Sequence, residues 1–141
     1  RSCFQWETTP NCLHAEKPMT PLAAKTNPKS AVKLADFPIP ANQIIEGKPH
    51  AKIWINAQSP DLKVTHGVWD CTAGKFNWDF TWDEFVMVLE GEVTITPDGE
   101  PGFTLRKGDF AHFPLGLKTK WHVPKYIKKT FVLRTPEPLK L

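Results

Sequence analysis

From position 51 onward the chain alternates short apolar runs with turn residues. Ala51 to Ala57 alternates well enough for a strand, and Gln58 to Asp61 turns. Val64 to Cys71 is the next strand, with Gly67 as a candidate bulge. Phe76 to Phe80 carries an aromatic ring at every second position, so Phe76, Trp78 and Phe80 share one face and Asn77 and Asp79 the other. Phe85 to Leu89 and Glu92 to Thr96 follow, the second strictly alternating. Pro97-Asp98-Gly99 turns into Phe103 to Arg106, and Lys107-Gly108-Asp109 turns into Phe110 to Phe113. Leu117 to Val123 places Thr119 and Trp121 on one face and Lys118, Lys120 and His122 on the other. Lys129 to Arg134 closes the series. Short β-branched and aromatic runs bounded by Gly, Pro and Asp predict an all-β domain of antiparallel strands. A barrel or sandwich hides their edges.

Residues 1–50 read differently. Pro10, Pro18, Pro21, Pro28, Pro38, Pro40 and Pro49 interrupt them, and proline removes a donor and fixes φ, so long regular elements are excluded. Apolar residues such as Phe37, Ile39 and Ile44 predict an irregular arm that docks on the barrel of residues 51–141 or on a dimer partner.

Composition narrows the picture. A chain of 141 residues fits one domain with a real core. The net charge of +3 is modest, and Lys125, Lys128 and Lys129 cluster without forming a basic motif of the kind that binds nucleic acid, so they read as a solvated basic face. No apolar run approaches the roughly 20 residues of a membrane-spanning helix. Three cysteines without a Cys-x-x-Cys pair predict reduced thiols in a cytoplasmic protein, a local Cys3–Cys12 bridge being the alternative.

Glu84 followed after six residues by Gly91 resembles the end of the first cupin motif. Gly108-Asp109 followed after four residues by Pro114-Leu115-Gly116 resembles the start of the second. With Phe76-Asn77-Trp78, Leu89-Glu90-Gly91, Phe113-Pro114, Trp121 and Val123-Pro124, the stretch from about Trp54 to Arg134 is similar to small cupins of the ureidoglycine aminohydrolase type. The resemblance implies an antiparallel cupin β-barrel of the jelly-roll, RmlC-like type, usually a homodimer. It also implies a cavity for a small polar metabolite. Metal-binding relatives would carry a His-x-His pair ahead of the Glu and a third His after the second motif. Here those positions fall on Asn77, Asp79 and about Thr119, and only Glu84 is kept.

That donor set suits a transition metal poorly, so the expectation is no tightly bound metal and no cofactor. A hard divalent cation held weakly by Glu84 and Asp79 is the exception to test. If Asn77 and Asp79 face inward, two carboxylates converge on the cavity and become a candidate acid/base pair, Glu84 and Asp79 catalytic with Asn77 orienting substrate. The same two can instead close the barrel mouth. Thr119, Trp121 and His112 are the further candidates for binding substrate. The function expected is acid/base chemistry on a small metabolite. The alternatives are a non-catalytic metabolite-binding sensor or scaffold and a metal-dependent aminohydrolase.

Overall fold

A computed structural model describes residues 23–141, so Cys3, Cys12 and the first part of the arm lie outside the described residues. Eight strands follow one another: β1 (Ala35–Asp36), β2 (Ile44–Gly47), β3 (Ala51–Gln58), β4 (Val64–Asp79), β5 (Asp83–Pro97), β6 (Phe103–Arg106), β7 (Phe110–Phe113) and β8 (Lys118–Arg134). Single 3₁₀ turns at Lys29–Ala31 and Ala41–Gln43 are the helical pieces among the described residues. Among the described residues no helix is long and apolar enough to cross a membrane.

All strand pairs are antiparallel, in the order β1-β3-β4-β8-β5-β6, with β2 on β4 and β7 on β5. β8 lies between β4 and β5, and these three long strands bend round a single core as a cupin-type jelly-roll barrel. Bending requires breaks in the ladder, and each break reverses which side chains face inward. In β4 the inward residues are Thr65, Gly67, Trp69 and Cys71, then the register shifts between Thr72 and Gly74. Beyond that point Phe76 and Trp78 carry the inward phase. β5 does the same at Gly91: Glu84, Val86 and Val88 point in before it, Val93 and Ile95 after it.

Gly91 has φ +76°, and a Cβ there would stand 1.9 Å from the Tyr126 carbonyl oxygen, so both conformation and space require glycine. Gly67 is not itself the bulge. It pairs with Ile55, and the extra residue is Asn56 in β3 opposite. Three runs that read as pairs of strands are therefore single strands, bent near Gly74, Gly91 and Pro124. The arm contributes β1 to the edge of β3 and β2 to β4, and it brings Phe37 against the core.

Candidate functional site

The inward phases of β4, β5 and β8 converge on a cavity of about 120 Å³. Its walls are apolar: Ile53 and Ile55 from β3, Phe131 and Leu133 from β8, Phe37 from the arm and Leu139 from the C-terminal tail. Four indoles, Trp69, Trp78, Trp82 and Trp121, add to them, with Phe76, Thr65 and Leu141. Among the described residues, the side chains of Glu84 and Lys129 bring a pair of charges to this space. Glu84 and Lys129 are 4% and 7% exposed, and the Lys129 ammonium donates to Glu84 Oε1. Burying either charge alone is costly, so each requires the other.

Strand geometry makes the pair. Glu84 lies opposite Leu133 across the β5–β8 ladder, and Lys129 shares the inward phase of Phe131 and Leu133 two and four residues away. Glu84 Oε2 accepts a hydrogen bond from Trp82 Nε1 at 2.8 Å. The ammonium stands 5.0 Å from the ring centroids of both Trp69 and Trp121, close enough for the ring faces to attract it. Those two rings meet edge-on at 5.8 Å, and Trp121 also stacks on Phe76 at 5.9 Å. Trp121 Nε1 donates to Thr119 Oγ1 at 2.9 Å, and Thr119 Oγ1 donates to the Trp78 carbonyl at 2.8 Å. This relay turns the polar edge of Trp121 away from Lys129 and leaves the ring face for it.

The residues expected at the site divide. Glu84 and Trp121 line the cavity. Thr119 is buried behind Trp121 as the relay, so it positions an indole and does not line the space. Asn77 and Asp79 do not join Glu84. The register shift in β4 gives the inward phase to Phe76 and Trp78, and Asn77 and Asp79 line a second hollow of about 300 Å³ with Gln43 and Thr81. Trp78, Trp82 and Phe37 form the wall between the two. The partner of Glu84 is thus an ammonium and not a second carboxylate. His112 lies on the outer face, stacked on Phe85 at 4.4 Å with Nε2 3.6 Å from Asp83 Oδ1.

Lys129, read as part of a solvated basic face, is a cavity-lining charge that sequence reasoning missed. The signal was present: Ile127, Lys129, Phe131 and Leu133 share one strand face, and a lysine in that phase must be buried.

Cys71 is buried beneath the same strands, and burial, aided by the charge of Asp70, pushes its thiol up to about 12. It is no nucleophile at neutral pH.

A metal does not fit this donor set. Both Glu84 oxygens are engaged, the ammonium holds the place of a cation beside them, and apart from the Thr65 hydroxyl, which accepts from Gln58, the remaining side chains of the lining are indole, phenyl and aliphatic. Among the described residues no group of three or more His, Cys, Asp or Glu side chains is gathered to hold an ion.

Barrel, motif positions and cavity together define a cupin. Residues 58–131, more than half of the chain, match the EutQ-like cupin domain, and the chain belongs to that family. Among solved structures, a Salmonella typhimurium LT2 protein assigned to ethanolamine utilization (protein Q) is similar at 22% identity and TM-score 0.63, over 80% of this chain and 85% of that one. The Clostridium difficile EutQ protein is similar at 22% identity and TM-score 0.56, over 64% of this chain and 66% of that one. A Pseudomonas syringae pv. tomato protein of unknown function reaches TM-score 0.68 at 20% identity, over 74% of this chain but 46% of that one. These likenesses establish the fold. No curated protein matches the sequence.

Proposed function

We propose that the barrel cavity takes a small organic ligand and that Glu84 and Lys129 exchange a proton with its polar group. The chain is then a cupin-type enzyme or ligand-handling protein that works without a tightly bound transition metal. One observation carries this reading: a buried carboxylate–ammonium pair faces open space and is not packed over by side chains. The space exceeds many times the roughly 10–15 Å³ that one water needs. A barrel serving only as a scaffold has no use for such a volume beside a costly ion pair. The apolar lining favours a ligand with an apolar body and a single polar head. The narrower likeness to ureidoglycine aminohydrolase-type cupins would bring a metal with the reaction, and the donor set here argues for chemistry by the ion pair instead.

The test is titration calorimetry of the full chain against short aliphatic and aromatic acids, amides and carbonyl compounds. One class should bind, and the double variant Glu84→Gln, Lys129→Met should weaken it at least tenfold. Removing both charges avoids stranding one of them, so this variant should remain folded. Unchanged affinity in the folded double variant would remove the pair from the site.

The same proposal includes a homodimer. Phe85 pairs with Val132 on one side and His112 on the other, and Met87 pairs with Phe110, on the outer face of β5, β7 and β8. Phe110 is 74% exposed and Phe85 52%. A two-fold contact joins the same patch on both copies, residue i meeting j and j meeting i, and an apolar strip is complementary to itself in this way.

A further inference from the structure

The structure assigns Lys129 a role beyond pairing charge: we propose that its amine forms an imine with the carbonyl carbon of a small aldehyde held in the cavity. The inference rests on the proposed use of the cavity as a ligand site. Three observations carry it.

First, Lys129 lines the cavity, and its nitrogen sits among other lining residues, bonded to Glu84 and 5.0 Å from the ring centroids of Trp69 and Trp121. A lysine amine becomes a nucleophile toward a carbonyl carbon once an adjacent base has taken its proton. Second, a proton acceptor is already bonded to that nitrogen, Glu84 Oε1. Third, Glu84 is held in place from its other oxygen by Trp82 Nε1 at 2.8 Å, so it can take and return protons without swinging away. The exposed lysines of the same strand have no such enclosure. Lys128, the neighbouring residue, has the opposite strand phase, is partly exposed and lies 3.7 Å from Glu90.

The steps balance within the pair. The ammonium passes a proton along its hydrogen bond to Glu84, leaving a neutral amine. The nitrogen lone pair forms a bond to the carbonyl carbon, the C=O π pair moves to oxygen, and that oxygen takes the proton from Glu84. Glu84 then removes a proton from the nitrogen and gives it to the departing hydroxyl. Water leaves, the C=N bond forms, and the product is a protonated imine beside the Glu84 carboxylate. Its charge equals that of the starting ammonium, so the Trp69 and Trp121 faces that attract the ammonium serve the iminium equally. No oxidant, metal or second substrate is needed. The ligand class follows: an aldehyde with a compact apolar body, such as butanal or benzaldehyde.

The experiment treats the full chain with butanal or benzaldehyde and then with sodium borohydride, which reduces the imine to a stable secondary amine. Intact mass and peptide mapping locate the adduct, and calorimetry with the same aldehydes measures binding in parallel. Lys129 should gain the mass of the aldehyde less one oxygen atom, at least tenfold faster than any exposed lysine. Lys129→Arg keeps the charge and the bond to Glu84 but should lose this adduct. Glu84→Gln should slow it at least tenfold. Binding by calorimetry without an adduct at Lys129 would overturn the imine and leave the ligand-binding reading standing. Neither binding nor adduct would remove both. Labelling spread evenly over surface lysines, and unchanged in Lys129→Arg, would also overturn the imine.

Discussion

A lysine ammonium held by a carboxylate and two indole faces exchanges water for three partners at once, and only their combination repays its desolvation. The neighbouring thiol shows the same environment acting on a group without such partners. Cys71 has no exposed surface, and its thiol is raised from 9.0 to about 12 by burial first and the charge of Asp70 second. Tyr126 is raised too, by burial and then by the hydrogen bond of its hydroxyl to Asp70. A raised folded-state value means that the unfolded chain releases its proton first as pH rises. The contribution of Cys71 to stability is therefore complete below about pH 9 and lost progressively as pH climbs toward 12. Urea unfolding at a series of pH values should show this fall, and Cys71→Ala should reduce its slope while the share of Tyr126 persists. An unchanged slope would mean that the thiol is not linked to folding.

At the scale of the element, glycine decides how long strands bend. Gly91→Ala places a Cβ against the Tyr126 carbonyl in a backbone conformation that costs an L-residue roughly 1–2 kcal/mol by itself. The variant should lose at least that much stability in chemical denaturation, whereas Gly99→Ala, with open space around it, should lose only the conformational part. Equal losses would show that the contact with Tyr126 relaxes freely. The same bends explain what the sequence made legible. Strand positions such as Phe103–Arg106 and Phe110–Phe113 follow directly from alternation between turn signals. The direction in which Asn77 and Asp79 face does not, because it depends on a register shift between Thr72 and Gly74 that no local pattern encodes. Glu84 was legible because its motif position and its strand phase agree. Lys129 was hidden by its neighbours: Lys125 and Lys128 make it look like one of a surface cluster, while its phase with Phe131 and Leu133 places it inside.

For the whole molecule, the two faces of the β5–β7–β8 region differ in character. The inner one supplies Glu84 and Lys129, and the outer one exposes Phe85 and Phe110. With a second copy covering the outer face, Phe110→Lys should convert a dimer to a monomer in sedimentation velocity while ligand affinity changes less than twofold. A wild-type chain that sediments as a monomer would exclude the homodimer. Of the six tryptophans in the chain, four ring one cavity, and two of those flank a fixed positive charge at 5.0 Å. An indole's emission colour responds to a nearby charge, so the molecule carries an optical gauge of its own interior. Any event that moves, neutralises or covers the ammonium is written into its ultraviolet fluorescence without a dye or a label.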